Sequence, residues 1–291
     1  MRSTARGMIG MVASSLLFSA MAVLLPFVKT VDTSVVASAR FLTGAFVIVG
    51  LAVLHLIRLQ ITNYRWLIVR GLFGATAVYL MYRGIMHIGL AKGTVLNYTY
   101  PMFAALLAPA LLKERLAPDV LVAGLLSFVG IWLIVSSGSP GGFIGFSSIG
   151  VEELLALCGG VLAGVAVVAI KKLRETDSPY VIYLSQCVFG LMVVGIPAGG
   201  SSFTFSARVW LLLLAIGIIA TIGQLAMTWA YKHVTATEGS LLAFLTPVLN
   251  LFLGLLVFGE EVRFPALIGS AVVLLSCSYV AFRERLLRLA G

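Results

Sequence analysis

Long apolar runs of about 20 residues alternate along the chain with short polar connections. At a rise of about 1.5 Å per residue, a helix of that length crosses the hydrocarbon core of a bilayer, which is roughly 30 Å thick. Strands of a membrane barrel would instead alternate apolar and polar positions over about 10 residues. The pattern therefore predicts an all-α membrane protein with ten transmembrane helices, at residues 8–28, 34–57, 66–86, 93–112, 120–137, 153–170, 180–198, 209–231, 239–258 and 264–282.

The composition agrees with a lipid environment. Hydrophobic residues make up 60% of the 291 residues and charged residues 11%, and the mean hydropathy is +1.09. Soluble domains carry about 25% charged residues, so this chain cannot cover a water-exposed surface. The net charge of +9 would suit a nucleic-acid binder, but the basic residues are dispersed between apolar runs and form no basic face. We expect the lipid bilayer and a small-molecule substrate as partners, and no nucleic acid.

The basic residues also indicate the orientation in the membrane. If the N-terminus is cytoplasmic, thirteen Lys and Arg residues fall on the inner side and four on the outer side. Both termini are therefore expected in the cytoplasm, with the chain integral to the cell (inner) membrane. Arg40, Arg70 and Arg83 fall within the predicted helices. We expect the Arg40 side chain to extend to the outer interface and the Arg70 side chain to the inner one.

The chain repeats itself with a shift of 146 residues, the separation of Gly93 and Gly239. Without gaps, this shift superimposes three pairs in the fourth helix of each half: Gly93 on Gly239, Pro101 on Pro247 and Glu114 on Glu260. Each half then holds five helices, in residues 8–137 and 153–282, joined by a Gly- and Ser-rich connection at 138–152. Because five is odd, the second half must enter the membrane from the opposite side. The sequence thus predicts two inverted five-helix repeats, a common design of alternating-access carriers.

The matched features resemble the EamA repeat of the drug/metabolite transporter superfamily. Each copy has a small residue at the start of its fourth helix, a proline in the middle and a glutamate at the end. The resemblance covers nearly the whole chain, and it implies a central cavity lined mainly by helices 1, 3, 4, 6, 8 and 9, with helices 5 and 10 as scaffold. Members of the superfamily include YddG-like exporters of amino acids. The second copy departs from the first at Glu261, which is matched by Arg115.

Several kinds of chemistry are not indicated by the sequence. All eleven Asp and Glu residues fall in connections or at helix ends, so no buried carboxylate is evident for proton or ion coupling. There is no phosphate-binding loop of the G-x-x-x-x-G-K type. The three cysteines are dispersed and the three histidines lie singly near helix ends. We therefore predict no metal, no cofactor and no catalytic residues.

Polar and aromatic residues mark one face of the third and eighth predicted helices, which are equivalent in the two halves. In the third, Tyr79, Tyr82 and Arg83 share a broad face. Arg83 suits a substrate carboxylate and the tyrosines suit an apolar or aromatic group, although anchoring at the membrane interface is the alternative. In the eighth, Thr221, Gln224 and Thr228 form a polar stripe, with Trp229 beside it, that faces either a cavity or a neighbouring helix.

Each half also has a proline near the middle of its fourth helix. Pro101 and Pro247 remove a backbone donor and leave a carbonyl one turn earlier without its helical partner. In lipid, such a carbonyl is tolerated only beside protein, water or ligand. We predict that both prolines are hinges at a central cavity, with a static packing kink as the alternative. Asn97, Tyr100 and Asn250 lie within about one turn of them and complete the predicted substrate-binding set.

The sequence therefore favours an alternating-access carrier for small polar metabolites, with amino-acid export as the first hypothesis. Uptake or exchange of a nucleoside-like or cofactor metabolite is the alternative, which several buried arginines in the cavity would favour. A channel or a membrane-embedded enzyme is the alternative of another class. An enzyme would need a cluster of His, Asp and Glu or a Ser–His pair at depth, and the sequence offers neither.

Overall fold

The computed structural model describes residues 2–113, 117–137, 150–200, 204–259 and 263–290. Within these ranges the chain is helical and contains no strand. The α-helices follow one another in the order α1 (Arg2–Leu24), α2 (Thr33–Val53), α3 (Tyr64–Ile88), α4 (Leu90–Asn97), α5 (Tyr100–Leu112), α6 (Pro118–Ser137), α7 (Val151–Leu173), α8 (Pro179–Gly199), α9 (Ala207–Ala230), α10 (Ala236–Leu242), α11 (Leu245–Phe258) and α12 (Phe264–Ala290). A short 3-10 segment, Leu25–Val28, extends α1.

The helix lengths agree with a membrane protein. In the described part of the chain, five segments are long and apolar enough to cross a bilayer: Thr4–Val28, Thr33–Val53, Val151–Leu173, Ala207–Ala230 and Ala236–Phe258. Shorter apolar helices are Tyr100–Leu112, Pro118–Leu133, Pro179–Gly195 and Phe264–Val280. The fold is thus all-helical and membrane-embedded, while the number of ten crossings stays a prediction. The matched Glu114 and Glu260, the departure at Arg115 and Glu261, and residues 138–149 of the connection lie outside the described residues.

Short polar side chains fix where several helices begin. Asp32 caps α2 by accepting a hydrogen bond of 2.7 Å from the backbone N–H of Ser34. Before α10, Thr235 accepts from the N–H of Glu238 at 3.1 Å, and the Glu238 carboxylate accepts from the N–H of Thr235 at 3.0 Å. The first N–H groups of a helix have no partner within it, and this is costly away from water. The caps therefore stabilise helix starts that lipid would leave unsatisfied.

The fourth and ninth predicted helices are each interrupted by a break, where the sequence predicted a kink. Tyr98 lies between α4 and α5, and Phe244 lies between α10 and α11, again 146 residues apart. Pro101 and Pro247 fall in the first turn after each break. A proline costs no hydrogen bond there, because the first N–H groups of a helix are unpaired in any case. The breaks lie where the proline forbids the bond that would continue the preceding helix.

Glycines set close contacts between the two halves. Gly44 of α2 lies against Tyr183 of α8, and Gly190 of α8 lies against Phe41 of α2, where a Cβ would come within 2.6 Å of the ring. The same arrangement recurs between α3 and α8 and between α9 and α2, where Gly71 lies against Phe189 and Gly217 against Thr43. Small residues let membrane helices approach closely, since lipid gives no hydrophobic force to drive them together. The helices α2, α3, α8 and α9 therefore form a tightly packed group.

Two further helices, α6 and α12, pack mainly against each other. Their contact is close at Gly130, where a Cβ would lie 2.6 Å from the backbone oxygen of Gly269. This pair agrees with the scaffold role that the family resemblance implies for the fifth and tenth predicted helices.

The packing of α4 on α3 predicts that Gly93 cannot be enlarged. A Cβ at Gly93 would lie 2.5 Å from the backbone of Gly84 and of Ile85. Gly93→Ala should force the two helices apart and lower stability by about 1–3 kcal/mol, measured by thermal unfolding in detergent. Gly50→Ala is the matched control, because a Cβ there meets nothing within 4 Å and alanine favours a helix. An unchanged midpoint for Gly93→Ala would show that this contact is looser than the structure indicates.

Candidate functional site

A cavity of about 100 Å³ lies between helices of both halves. Its lining comes from α1, α2, α3, α4, α5, α7, α8, α9, α11 and the breaks before α5 and α11, whereas α6 and α12 contribute none of the lining residues in the described part of the chain. Polar side chains at this depth require protein, water or a ligand as partner. The polar lining consists of Ser14, Ser15, Arg40, Arg70, Thr94, Asn97, Tyr98, Tyr100, Gln186, Gln224, Thr246 and Asn250.

Arg40 of α2 brings a positive charge into this cavity, and only 1% of the residue is exposed. Its Nη1 donates to Tyr82 Oη at 3.1 Å, and its Nη2 donates to Gln224 Oε1 at 3.4 Å. The guanidinium also lies 5.9 Å from the ring centroid of Phe18 and 5.6 Å from that of Tyr82, in the range of cation–π contact. The expectation that Arg40 extends to the outer interface is wrong, because these partners hold its side chain inside the protein.

Arg70 of α3 supplies a second buried charge, with 2% of the residue exposed. Its Nη2 donates to Gln186 Oε1 at 2.7 Å, and Gln186 Nε2 in turn donates to the backbone oxygen of Gly74 at 3.0 Å. The guanidinium lies directly on Gly74, where a Cβ would overlap Nη1. Arg70 was expected at the inner interface, and that expectation is also wrong. The glycine one turn along α3 leaves room for the side chain to turn towards α8.

Neither arginine has an acidic partner among the described residues. Both are positioned by glutamine amides, which accept a hydrogen bond but carry no charge. The Nε of Arg40 and the Nε of Arg70 are buried without a hydrogen-bond partner. Removing a cation from water without a counter-charge has an effective cost of several kcal/mol. The cavity therefore holds two positive charges that the surrounding side chains do not neutralise.

The two arginine–glutamine contacts follow the repeat. Arg40 and Gln186 are 146 residues apart, in the second helix of each half. Arg40 bonds Gln224 of α9, while Gln186 bonds Arg70 of α3, so each second helix is tied to the third helix of the other half. The sequence analysis missed Arg40, Arg70 and Gln186 as site residues. The signal was present, because an ionisable side chain within a transmembrane segment marks a functional site by default.

Two asparagines lie next to the helix breaks and line the same cavity. Asn97 ends α4, and its buried Nδ2 has no hydrogen-bond partner. Asn250 of α11 donates from Nδ2 to Thr94 Oγ1 at 3.4 Å, while its Oδ1 has no partner. Buried amide atoms are normally paired with protein or water. The open donor and the open acceptor are therefore available to water or to a ligand.

Half of the predicted substrate-binding residues line this cavity, namely Asn97, Tyr100, Gln224 and Asn250. The structure places the other four elsewhere. Tyr82 is buried behind Arg40, and its hydroxyl also donates to the Met21 sulfur at 2.9 Å. Trp229 is exposed, with its ring centroid 4.7 Å from that of His233. Contact of all eight residues with substrate stays a prediction.

Arg83 joins the two halves by an ion pair. Its Nε and Nη2 donate to the Glu152 carboxylate, at the start of α7, over 2.8 and 2.6 Å. The side chains of Arg83 and Glu152 are 35% and 25% exposed. Tyr79, one turn earlier on α3, is half-buried. A bidentate pair of this kind fixes both the distance and the orientation of its partners, so it holds α3 against α7.

A cavity with buried polar and charged side chains lies between similar halves of an all-helical membrane protein, which is the arrangement expected of a carrier. In the described ranges, no group of His, Cys, Asp and Glu side chains is arranged to hold a metal ion. The chain belongs to the EamA-like transporter family, whose profile matches residues 5–136 and 151–282. This confirms the resemblance to the drug/metabolite transporter superfamily.

Individual relatives agree with this assignment. The chain is 30% identical over 213 residues to the pseudopaline exporter of Pseudomonas aeruginosa, and the aligned region covers 72% of each protein. It is 26% identical over 179 residues to human solute carrier family 35 member G1, covering 57% of this chain and 48% of that protein. A crystal structure of a protein aligns with a TM-score of 0.76 over 96% of this chain and 98% of that chain, at 20% identity. That last likeness concerns the fold alone.

The Arg83–Glu152 ion pair predicts a charge-reversal effect. Arg83→Glu sets two carboxylates against each other, so it should separate α3 from α7 and slow transport in liposomes. Adding Glu152→Arg restores opposite charges and should recover part of the rate. In a double-mutant cycle of thermal stability, we expect a coupling of about 0.2–1 kcal/mol for a partly exposed pair.

The matched control is the exposed pair Lys172–Glu175, with Nζ and Oε2 2.6 Å apart. Reversing Lys172 should leave the transport rate unchanged, since this pair lies within one turn and joins no two helices. Equal transport rates for wild type and Arg83→Glu would show that the Arg83 ion pair plays no part in the cycle.

Proposed function

We propose that the protein is an alternating-access carrier that exports small polar metabolites bearing a carboxylate, with amino acids as the first candidates. The observation that carries this proposal is the cavity walled by both halves, with Arg40 and Arg70 buried in it. Guanidinium groups bind carboxylates in a bidentate manner. Outward direction is supported by the similarity to an exporter of Pseudomonas aeruginosa.

A nucleoside-like or cofactor metabolite is the second candidate, and the two buried arginines favour it because they bind phosphate as well as carboxylate. The cavity volume of about 100 Å³ favours the smaller substrate. The amides of Asn97 and Asn250 supply an open donor and an open acceptor, as an amino acid requires. We therefore rank amino-acid export first.

The proposed architecture is ten transmembrane helices in two inverted repeats, residues 8–137 and 153–282, joined by 138–152. Support comes from contacts that recur with the shift of 146 residues: Gly44 and Gly190 at the α2–α8 contact, Gly71 and Gly217 at the neighbouring contacts, and the two helix breaks. The bias of basic residues supports cytoplasmic termini and the inner membrane. Antiparallel halves allow one side of a cavity to close while the other opens.

Reconstitution tests the proposal. Purified protein in liposomes loaded with labelled amino acids should show saturable efflux, accelerated by unlabelled substrate on the opposite side. Such counterflow is characteristic of a carrier that changes orientation. Efflux that rises linearly with concentration would indicate a channel, and chemical conversion of the label would indicate an enzyme. Either result would overturn the carrier proposal.

The helix breaks lead to a prediction for Pro101 and Pro247, which we propose as paired hinges. Replacement of either proline by alanine restores a backbone donor, which favours a continuous helix across the break. Turnover should fall in Pro101→Ala and in Pro247→Ala, while substrate affinity stays within a few-fold, because hinges mainly affect rates. Transport rate and binding measured on the same preparations separate the two effects.

Pro118→Ala is the matched control, since Pro118 begins the unbroken helix α6, away from the cavity. It should transport like the wild type. If both hinge variants also transport at the wild-type rate, the two prolines are packing kinks and the hinge proposal fails.

A further inference from the structure

The cavity charges point to a more specific substrate class. Of the five N–H donors of a guanidinium, Arg40 uses two, to Tyr82 and Gln224, and Arg70 uses one, to Gln186. The remaining donors, including both buried Nε groups, have no acceptor among the described residues. Both arginines thus keep most of their donors for a ligand.

The two guanidinium groups are held independently. Arg40 is fixed between α2 and α9, whereas Arg70 is fixed between α3 and α8. A carboxylate matches the fork of one guanidinium in a bidentate contact, so a substrate with one carboxylate leaves the other arginine without a counter-charge. Two separate anionic groups on one molecule satisfy both arginines at once.

We propose that the cavity takes small substrates with two anionic groups, such as dicarboxylates, with one group bound by Arg40 and the other by Arg70. The inference rests on the proposed carrier function and narrows its substrate class, so that among amino acids it selects those with a second carboxylate. The glutamines contribute by orienting each guanidinium without competing for its charge. A glutamate at either position would neutralise the arginine and occupy the place of the substrate.

A series of probes matched in size tests the number of anionic groups. Succinate, succinamate and succinamide carry two, one and no negative charges at pH 7, and the corresponding glutarate series allows for a different spacing of the arginines. Binding to the purified full-length protein in nanodiscs is measured by calorimetry in a low-chloride buffer. In at least one series, the dianion should bind about 10-fold or more tightly than the monoanion, and the neutral probe weakest.

Two isosteric variants alter the charge and keep the shape. Gln186→Glu and Gln224→Glu preserve an acceptor for Arg70 and Arg40, respectively, but add a counter-charge. Each should reduce the preference for dianion over monoanion to near one, with monoanion binding largely retained. Arg40→Gln and Arg70→Gln should reduce the same ratio. A general loss of packing would instead weaken all three probes alike, so the ratio separates the two causes.

Arg58→Gln is the matched control. Arg58 is exposed between α2 and α3, and its replacement removes one positive charge from the chain, as the cavity variants do. It should keep the wild-type ratio. The inference fails if the wild-type protein shows a dianion-to-monoanion affinity ratio near one in both series. It also fails if that ratio is unchanged in all four cavity variants. Saturable counterflow of other substrates would in that case leave the carrier proposal intact. Dianion binding without any flux would refute the carrier proposal and retain the anion site.

Discussion

The close crossing of α2 and α8 at two glycines positions Arg40 and Gln186 at the cavity. Gly44 and Gly190 let the two helices approach, since a side chain at either position would collide with the opposite helix. Arg40 precedes Gly44 by one helical turn, and Gln186 precedes Gly190 by one turn. Residues four apart lie on the same face of a helix. The polar side chains therefore emerge beside the crossing, where the third helix of the other half meets them.

Each cavity arginine is hydrogen-bonded by a glutamine amide and not by a carboxylate, and this choice determines the net charge of the site. A carboxylate beside each arginine would lower the cost of burial, but it would also form a stable closed pair. Glutamine fixes the direction of the guanidinium and leaves its charge in place. Because neither arginine has an acidic partner among the described residues, the counter-charge is left to the proposed anionic substrate. In the proposed function, binding of an anion in the cavity and neutralisation of the arginine charge therefore occur together.

Much of the fold follows from the sequence, because lipid imposes simple rules on helix length. The apolar run at 153–170 became α7, Val151–Leu173, and the run at 34–57 became α2, Thr33–Val53. The helix breaks at Tyr98 and Phe244 could not be located from the apolar runs, because an interruption of about one turn does not change how apolar the segment is. Pro101 and Pro247 located them to within a turn. The direction of the Arg40 side chain was predicted wrongly. The distance of Arg40 from the helix end indicates its depth in the membrane, but not whether its face of the helix packs against protein or faces lipid.

The position of Tyr82 and Arg83 shows how the surface and the cavity are connected. Successive residues on a helix point about 100° apart, so Tyr82 turns inward to Arg40 while Arg83 turns to Glu152. Arg70 lies on the same helix, about three turns earlier. The helix α3 is continuous between these positions, so it joins the Arg83–Glu152 pair to the groups around Arg40 and Arg70 without interruption. In the proposed alternating-access cycle, a rotation of α3 that separates Arg83 from Glu152 also displaces the Tyr82 hydroxyl and the Arg70 guanidinium, which links opening at the helix end to the electrostatics of the cavity.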